Sequence, residues 1–510
     1  MCTYLVSFLS AVLLQVVVAL VDPGRLQKGL DALPLICESA LSSSGVPGLS
    51  VVVIYDGDIL FSGGFGVKRV GEGEPVTADT VFQLASLSKP ISSTIVAAIV
   101  SEGLVTWDSK TNRPGVVAEY ADPYVTSELR LSDGFSHRSG LYGTAGDDLE
   151  LLGYDRDAIL ARLEALPPSG PFRITYSYSN YGLTIAAVSA ASAAGKSWEV
   201  AAENYLYRPL GMSVTSSRYS DFVSRSDRAS LHMPALNDAN GGWVTAPDRV
   251  PDAQAPAGGV SSSANDLAKW LQLHLNLGST GVTQLISQTA LNETLVPQIV
   301  RGFTPITNHT GFYALGWDID YEDSGQWQSH AGAFTAGART LVKMNVDERI
   351  GILILANAFP TGIPEGIADT FYDLVFYGES RRDYMTLWNE AYSTFEQPPS
   401  PYLTGKSDNS EPMLPTESYV GQFYNDYTGI VDISAGTDGV DLELSFSESS
   451  SSTFNLKHWS RDTFYISELA DDAGAGVTFA VGVDGTSTSL TIDFLVTGGN
   501  VLLRTQPVEA

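Results

Sequence analysis

The order of apolar and polar positions predicts a domain whose sheet is built from both ends of its sequence. Residues 49–55 are almost wholly apolar or β-branched, Asp56-Gly57 can turn the chain, and residues 59–67 return, which predicts a β-hairpin. Residues 110–300 show the pattern of loops and amphipathic helices. Strand patterns and a final helix follow over residues 313–318, 336–345, 350–356 and 366–377. Further helices are predicted over residues 33–42, 90–102, 157–166, 181–194 and 264–277.

The last part of the chain has a different pattern. Residues 396–416 carry little apolar surface and contain the runs QPPSP and KSDNSEP, so they are predicted to be a linker between a domain over residues 22–395 and one over 417–508. Eight short strands separated by Gly, Asp and Ser predict a small closed antiparallel barrel, over residues 419–424, 429–434, 440–446, 453–459, 463–468, 477–483, 489–495 and 501–505.

The amino-terminal residues form an apolar run over residues 5–21, which the sequence Asp-Pro-Gly ends. The run is typical of a cleaved secretory signal, predicted as residues 1–19, and Val17 and Ala19 are small enough for the positions before a cleavage site. The protein is therefore expected to be secreted or in the secretory pathway, with no membrane contact after cleavage. An uncleaved membrane anchor is the alternative.

Length, composition and net charge limit the number of domains and the kinds of binding partner. The chain has 510 residues and is 44% hydrophobic, which is enough for a large core and a smaller second one. Its net charge of -29 argues against binding nucleic acid or an anionic membrane. Cys2 lies in the predicted signal, so Cys37 is alone in the mature chain and is predicted to be a buried structural thiol.

A serine and a lysine three residues apart, Ser86 and Lys89, lie at the start of the helix predicted over residues 90–102. At that spacing the two side chains share one helical face. A serine hydroxyl attacks a carbonyl well only when a base takes its proton, and a desolvated lysine is such a base. Helix amino-terminal N–H groups also stabilise an oxyanion. The pair predicts covalent acyl chemistry only together with further groups, because it also occurs by chance.

A second candidate is the tripeptide Tyr178-Ser179-Asn180. In an acyl-transfer site a tyrosine relays a proton, and an asparagine amide orients the substrate carbonyl or the lysine. An ordinary polar loop before a helix is the alternative interpretation, and Tyr176 is a less favoured tyrosine.

The third candidate is His330-Ala331-Gly332, just before a predicted strand. A backbone N–H that faces the nucleophile across a sheet edge completes an oxyanion hole, and glycine permits close backbone approach. His309 is in a similar sequence but lies within a glycosylation sequon, so His330 is preferred. The remaining histidines are interpreted as structural, namely His137, His232, His274 and His458.

These blocks, in this order, resemble the class C β-lactamase and penicillin-binding-protein superfamily of serine hydrolases. They are residues 82–89 (FQLASLSK), 137–141 (HRSGL), 178–180 (YSN), 256–259 (PAGG) with Asp266, and 330–332 (HAG). The resemblance covers roughly residues 30–385 and implies an α/β domain, an antiparallel sheet flanked by helices plus an inserted helical region. Residues 419–423 (YVGQF) and 456–459 (LKHW) resemble the lipocalin-like barrel appended to some members.

The resemblance implies roles for these residues. Ser86 would be acylated, Lys89 would be its base, and Tyr178 would assist proton transfer, with Asn180 in support. Backbone N–H groups of Ser86 and Ala333 would form the oxyanion hole. Which of Lys89 and Tyr178 is the base in each half-reaction stays open, and the two are expected to titrate as a coupled pair.

His330 departs from the pattern, since β-lactamases of this superfamily carry lysine there. A mostly neutral imidazole binds a substrate carboxylate less well than a fixed cation does. Three functions are compatible with this site. The first is a secreted serine hydrolase that cleaves an ester or amide bond of a small-molecule or peptide acyl substrate. The second is an acyltransferase that passes the acyl group to an alcohol or amine in a biosynthetic pathway, and the third is a non-catalytic binding protein.

No metal or cofactor is predicted, because the sequence has no cysteine pair and no His-x-x-x-His at ligand spacing. The glycine-rich residues 63–66 lie in the returning strand of the hairpin, which is the wrong context for a phosphate-binding loop. Two sequons, at Asn292 and Asn308, fit a secreted glycoprotein. The sequence does not fix the oligomeric state.

Overall fold

The computed structural model describes residues 21–505 except 114, 117, 236–241, 394–399, 404–405, 407–409, 438–439, 448–452 and 467–473. The predicted signal over residues 1–19 lies outside the described residues, as do parts of the predicted linker and barrel. Secretion therefore stays a prediction. Within the described residues, no helix combines the length and the apolar character that crossing a membrane requires.

The elements are numbered in chain order. The helices are α1 (Pro23–Ser44), α2 (Ser88–Ser101), α3 (Pro123–Glu128), α4 (Leu131–Phe135), α5 (Asp147–Leu151), α6 (Arg156–Leu160), α7 (Asn180–Ala193), α8 (Trp198–Ala202), α9 (Arg208–Leu210), α10 (Tyr219–Val223), α11 (Ala255–Gly258), α12 (Ala264–Leu275), α13 (Gln288–Glu293), α14 (Ile363–Tyr377) and α15 (Tyr384–Ser393). The strands are β1 (Gly48–Tyr55), β2 (Asp58–Gly66), β3 (Phe82–Gln83), β4 (His232–Pro234), β5 (Trp243–Thr245), β6 (Ser261–Ser262), β7 (Ser279–Thr280), β8 (Thr283–Gln284), β9 (Ile299–Phe303), β10 (Thr310–Tyr313), β11 (Asp318–Glu322), β12 (Gly325–Phe334), β13 (Ala338–Asn345), β14 (Ile350–Ala356), β15 (Gly421–Asn425), β16 (Gly429–Ala435), β17 (Leu442–Phe446), β18 (Thr453–Ser460), β19 (Thr463–Ile466), β20 (Ala475–Val481), β21 (Ser487–Ile492) and β22 (Val501–Arg504).

The first domain contains an eight-stranded antiparallel sheet in the order β2-β1-β14-β13-β12-β11-β10-β9. The two ends of the domain supply this sheet, which confirms the predicted architecture. Strands β1 and β14 are apolar except for the buried Ser50, because helices cover both faces of the sheet. Their alternate side chains pack against α1 and α14 on one face and against α2 and α12 on the other.

Two details of the predicted sheet are wrong. Residues 313–318 are not one strand, because β10 ends at Tyr313 and β11 starts at Asp318. The turn between them is apolar because it is buried, so its sequence resembles that of a strand. Within it, Gly316 has φ +85° and donates its N–H to the Phe135 carbonyl at 3.0 Å. The second error concerns His330, which lies inside β12 rather than before a strand.

Helix α1 is longer than predicted, because Asp22 accepts the Arg25 N–H at 2.9 Å and caps its first turn. The helix ends at Gly45, which has φ +69°. Cys37 lies on its buried face with no exposed surface, and burial raises the pKa of its thiol to about 12. The prediction of a buried structural thiol is confirmed.

The second domain is a closed barrel of eight antiparallel strands, β15 to β22, as predicted. The segment before the barrel contacts one of its strands: Tyr402 stacks on Tyr465 of β19 with ring centroids 5.7 Å apart. The barrel core continues into the helical region of the first domain, where Leu149 and Leu152 belong to the same apolar cluster as Phe423. That the barrel is lipocalin-like stays a prediction.

Candidate active site

The candidate nucleophile lies on a tight turn directly before α2. Ser86 is the middle residue of a single turn of 3-10 helix, Ala85–Leu87, and is partly exposed. The preceding residue, Ala85, is fully buried and has φ +49°, a conformation that costs a non-glycine residue about 1–3 kcal/mol. The predicted position of the serine, at or near a helix amino terminus, is confirmed.

Hydrogen bonds from three parts of the chain hold this turn. The Thr340 hydroxyl, on β13, donates to the Leu84 carbonyl at 2.7 Å. The Ser88 hydroxyl donates to the Ala85 carbonyl at 2.7 Å and accepts the Val260 N–H at 3.0 Å. The buried contacts offset the strain at Ala85 and fix the direction in which the serine hydroxyl points.

Lys89 is fully buried and contacts the serine directly. Its Nζ lies 3.0 Å from Ser86 Oγ, 2.7 Å from Asn180 Oδ1 and 3.0 Å from the Ala257 carbonyl oxygen. Burial lowers the pKa of Lys89 to about 7, and the negative charge of Asp147 opposes that fall. As a free amine, Lys89 donates its two N–H groups to Asn180 and Ala257, which leaves its lone pair for the proton of Ser86.

Tyr178 contacts the same two groups. Its hydroxyl interacts with that of Ser86, and Lys89 Nζ lies 4.5 Å from the centroid of its ring. Burial raises the pKa of Tyr178 well above its ordinary value of 10.0. The phenol therefore keeps its proton at neutral pH, and it can donate or relay a proton but is a poor initial base.

His137 holds the loop that carries Tyr178. Its Nδ1 accepts the backbone N–H of Ser179 at 3.1 Å, and its ring centroid lies 4.3 Å from that of Tyr178. The imidazole is fully buried, and burial lowers its pKa well below 6.5, so it is neutral. The prediction that His137 is structural is confirmed, and its structural role is to hold the loop that carries Tyr178. Tyr176 lies behind it, with ring centroids 6.0 Å apart.

Asn180 connects the lysine to a carboxylate that the sequence analysis missed. Its Nδ2 lies 3.0 Å from both oxygens of Asp147, the first residue of α5. Burial raises the pKa of Asp147 to about 6, although Asn180 and Lys89 oppose that rise. The sequence signal was an acidic pair next to a glycine, Gly146-Asp147-Asp148, but only the fold brings it to Lys89.

A second buried carboxylate supports this network. Glu150 Oε1 lies 3.2 Å from Arg249 Nη2, and Glu150 also contacts Gln254. Burial raises the pKa of Glu150 to about 7. Gln254 lies 3.4 Å from Asp147, which continues the polar network behind the lysine.

Strand β12 passes directly beside the serine turn. A Cβ at Gly332 would lie 2.2 Å from the Leu84 carbonyl oxygen and 2.8 Å from the Leu87 nitrogen, so only glycine fits this approach. Ala333 follows it and is partly exposed. Its N–H and that of Ser86 remain the predicted oxyanion hole.

His330 lies on β12 with only 3% of its surface exposed, and both of its ring nitrogens are hydrogen-bonded within the protein. Nδ1 donates to the Ala331 carbonyl at 2.7 Å, so neutral Nε2 accepts the Tyr313 hydroxyl at 2.8 Å. Burial lowers the pKa of His330 to about 3, so the imidazole is neutral. It cannot supply the positive charge for a substrate carboxylate. His309, the weaker alternative, is exposed on the surface.

The remaining predicted sites lie elsewhere. Asn292 and Asn308 are both exposed, and their glycosylation stays a prediction. Among the described residues, no group of three or more His, Cys, Asp and Glu side chains is arranged to hold a metal ion.

We expect activity to increase with pH through about 7, because Lys89 must be a free amine to accept the serine proton. Below that pH, kcat/KM should fall about tenfold per pH unit. Tyr178 should keep its proton over the same range, so it should add no limb at neutral pH. A pH profile of kcat/KM checks this. A limb that disappears in His330→Asn would assign the titration to the imidazole instead.

Known proteins similar to this chain fall in the family that the sequence motifs resemble. A family model described as β-lactamase matches residues 25–375, and one described as a domain of unknown function, DUF3471, matches residues 406–505. Penicillin-binding protein 4 of Amycolatopsis lactamdurans is 29% identical over 53% of this chain and 70% of its own. Esterase EstB of Burkholderia gladioli is 26% identical over 70% of this chain and 96% of its own.

A solved structure shares the fold. The octameric penicillin-binding protein homologue from Pyrococcus abyssi superposes with a TM-score of 0.58 at 18% identity, over 95% of this chain and 100% of the other. At that identity the similarity concerns the fold alone.

Proposed function

Because this chain belongs to the β-lactamase family, we propose that it is a serine hydrolase that cleaves ester or amide bonds through an acyl-enzyme on Ser86. One observation carries the proposal: the 3.0 Å contact between Ser86 Oγ and the fully buried amine of Lys89. A lysine whose pKa is about 7 is a free amine in a large fraction of molecules at neutral pH.

Acylation follows from this contact. Ser86 Oγ bonds to the carbonyl carbon while Lys89 takes the hydroxyl proton, and the N–H groups of Ser86 and Ala333 stabilise the oxyanion. When the tetrahedral intermediate collapses, the C–O or C–N bond to the leaving group breaks. The leaving group takes a proton from the Tyr178 hydroxyl, which recovers one from Lys89. Water then bonds to the acyl carbon while Lys89 takes one of its protons. When this second tetrahedral intermediate collapses, the bond to Ser86 Oγ breaks, Oγ takes the proton from Lys89, and the free acid leaves.

The neutral charge of His330 favours acyl donors that have no carboxylate to bind near β12. A hydrogen bond to a charged group is worth about 1.5–3 kcal/mol, or roughly tenfold to over a hundredfold in binding. The neutral imidazole offers no such interaction, because both nitrogens are bonded to Ala331 and Tyr313.

A cavity of about 620 Å³ lies beside the network and has Glu150, Arg249 and Ala336 in its lining. Ala336 is in the turn after β12, at the end of the sheet where the serine turn lies. Among the described residues its lining includes neither Ser86 nor Lys89, so this space borders the polar network behind the lysine rather than the serine.

A panel of donors tests the proposal. Neutral p-nitrophenyl esters, a peptide p-nitroanilide and benzylpenicillin are compared, each with and without an added alcohol or amine. We expect kcat/KM for a neutral ester to exceed that for the penicillin by about tenfold or more. A penicillin that is the best donor would contradict the preference for donors without a carboxylate, and no turnover of any donor in the panel would contradict the hydrolase itself. Products in which the added acceptor carries the acyl group in excess over the free acid would support an acyltransferase instead.

A further inference from the structure

The barrel is hydrogen-bonded to the segment that carries Asp147. Tyr427, in the turn between β15 and β16, is 1% exposed. Its hydroxyl accepts the backbone N–H of Gly146 at 2.8 Å and donates to the carboxylate of Asp148. The residues on both sides of Asp147 are therefore bonded to one side chain of the second domain.

Asp148 is bonded to the barrel through both of its oxygens. Oδ1 accepts the Tyr427 hydroxyl, and Oδ2 accepts the Val496 N–H at 2.8 Å. The residue is buried, which raises the pKa of its carboxyl, and these hydrogen bonds oppose that rise. Removing a partner leaves a buried oxygen unsatisfied, which costs about 1–3 kcal/mol.

Gly146 is fixed from the opposite side by the first domain. It precedes α5 with φ +88°, and a Cβ there would lie 2.5 Å from the ring of Tyr181 and 2.8 Å from Ile159. The backbone at Gly146 is thus confined between Tyr181 and the hydroxyl of Tyr427. A displacement of this backbone moves the next residue, Asp147.

We propose that Tyr427 is a positioning residue for the catalytic base, an inference that rests on the proposed function. The path runs from the Tyr427 hydroxyl to Gly146 and Asp148, from there along the backbone to Asp147, and through Asn180 to Lys89 Nζ. In the described part of the barrel no hydrogen bond reaches Ser86 itself, so the barrel acts on the base through this path.

The charges around the lysine set the direction of the expected effect. Asp147 raises the pKa of Lys89, while His137 and His330 are neutral neighbours. Asp147 itself faces Lys89, Asp148 and Arg249, and Glu150 lies beyond it. If Asp147 is less well placed, its attraction for the Lys89 proton weakens. The pKa of the lysine should then decrease.

The test compares three tyrosine-to-phenylalanine variants in the full chain. Tyr427→Phe removes the hydroxyl and keeps the ring. Tyr419→Phe is the matched control, because the Tyr419 hydroxyl likewise accepts a backbone N–H, from Leu414 at 3.0 Å, and donates to a carboxylate, Asp462 at 2.9 Å, while neither partner lies in the first domain. Tyr154→Phe removes a different hydrogen bond between the domains, which the Tyr154 hydroxyl donates to the Thr428 carbonyl at 2.7 Å.

The readout is the rate constant for labelling of Ser86 by a fluorophosphonate, measured against pH. In that reaction Ser86 Oγ bonds to phosphorus, the P–F bond breaks, fluoride leaves and Lys89 takes the hydroxyl proton. We expect Tyr427→Phe to lower the plateau rate by about ten- to hundredfold and to move the half-maximum to lower pH. Tyr419→Phe and Tyr154→Phe should keep the half-maximum of the unmodified protein.

The outcomes separate the two proposals. If the unmodified protein is not labelled on Ser86, the proposed function fails and this inference fails with it. If it is labelled and Tyr427→Phe gives the same profile, only the positioning role is overturned. An equal loss in all three variants also overturns that role, because it indicates a general effect of weaker folding. Should Tyr427→Phe fail to fold, Asp148→Asn keeps the side-chain size, and it is expected to lower the plateau rate in the same way.

Discussion

Replacing Ser86 by alanine is expected to lower kcat/KM by at least about 10³-fold for every acyl donor that the protein turns over. The variant lacks the hydroxyl oxygen that lies 3.0 Å from Lys89 Nζ and interacts with the phenol of Tyr178. The remaining groups can still bind substrate, but no covalent intermediate can form. Steady-state kinetics with the best neutral ester measures the loss.

Ser93→Ala is the matched control for this variant. Ser93 is on the same helix, α2, and its buried hydroxyl has no hydrogen-bond partner among the described residues. Removing an unpaired hydroxyl should leave kcat/KM unchanged within about twofold. Turnover by Ser86→Ala at the rate of Ser93→Ala would exclude the serine as nucleophile.

Replacing Lys89 by methionine should have the second largest effect, a decrease in kcat of about 10²- to 10⁴-fold. Methionine fills the buried space but offers no lone pair to the serine proton. Lys89→Arg should be equally poor, since arginine keeps the positive charge but does not lose a proton in proteins. Together the two variants separate the need for a base from the need for a charge.

Lys269→Met serves as the control for the lysine variants. Lys269 is on α12 with 39% of its side chain exposed, and it pairs with Asp266 at 2.8 Å. Asp266 is buried but keeps its hydrogen bonds from the Val214 N–H and the Thr215 hydroxyl when the lysine is replaced, so the variant should change stability and not kcat. If Lys89→Arg retained full activity, the lysine would act through its charge, and a different base would be needed.

The fold was predictable where the spacing of apolar residues in a segment reflects which of its faces are buried. Strands β1 and β14 are nearly continuous apolar runs because both of their faces are covered, and the barrel strands alternate because one face is exposed. The prediction over residues 313–318 failed because an apolar turn around Gly316 is buried against the first domain's helices. Strand β12 was missed because its sequence, GQWQSHAGAF, has few apolar residues in alternation.

The site was predictable to the extent that motifs are local. The spacing of Ser86 and Lys89 and the tripeptide ending in Asn180 named groups that the structure brings within hydrogen-bonding distance. Asp147 was missed because its one local signal, an acidic pair after a glycine, is equally typical of an exposed loop. Its contact with Asn180 is between residues 33 positions apart. The contact of Tyr427 with Asp148 spans 279 positions and joins two domains, so no local pattern signals it.

The most direct test of the account is the mass of the protein during turnover. The protein is mixed with an excess of a neutral ester, quenched in acid within the first turnovers, and measured intact and after digestion. An acyl-enzyme on Ser86 predicts a mass increase equal to the acyl group, on the peptide that contains Ser86 and absent from Ser86→Ala. Hydrolysis that proceeds with no acylated peptide, or with the acyl group on a different residue, would contradict it.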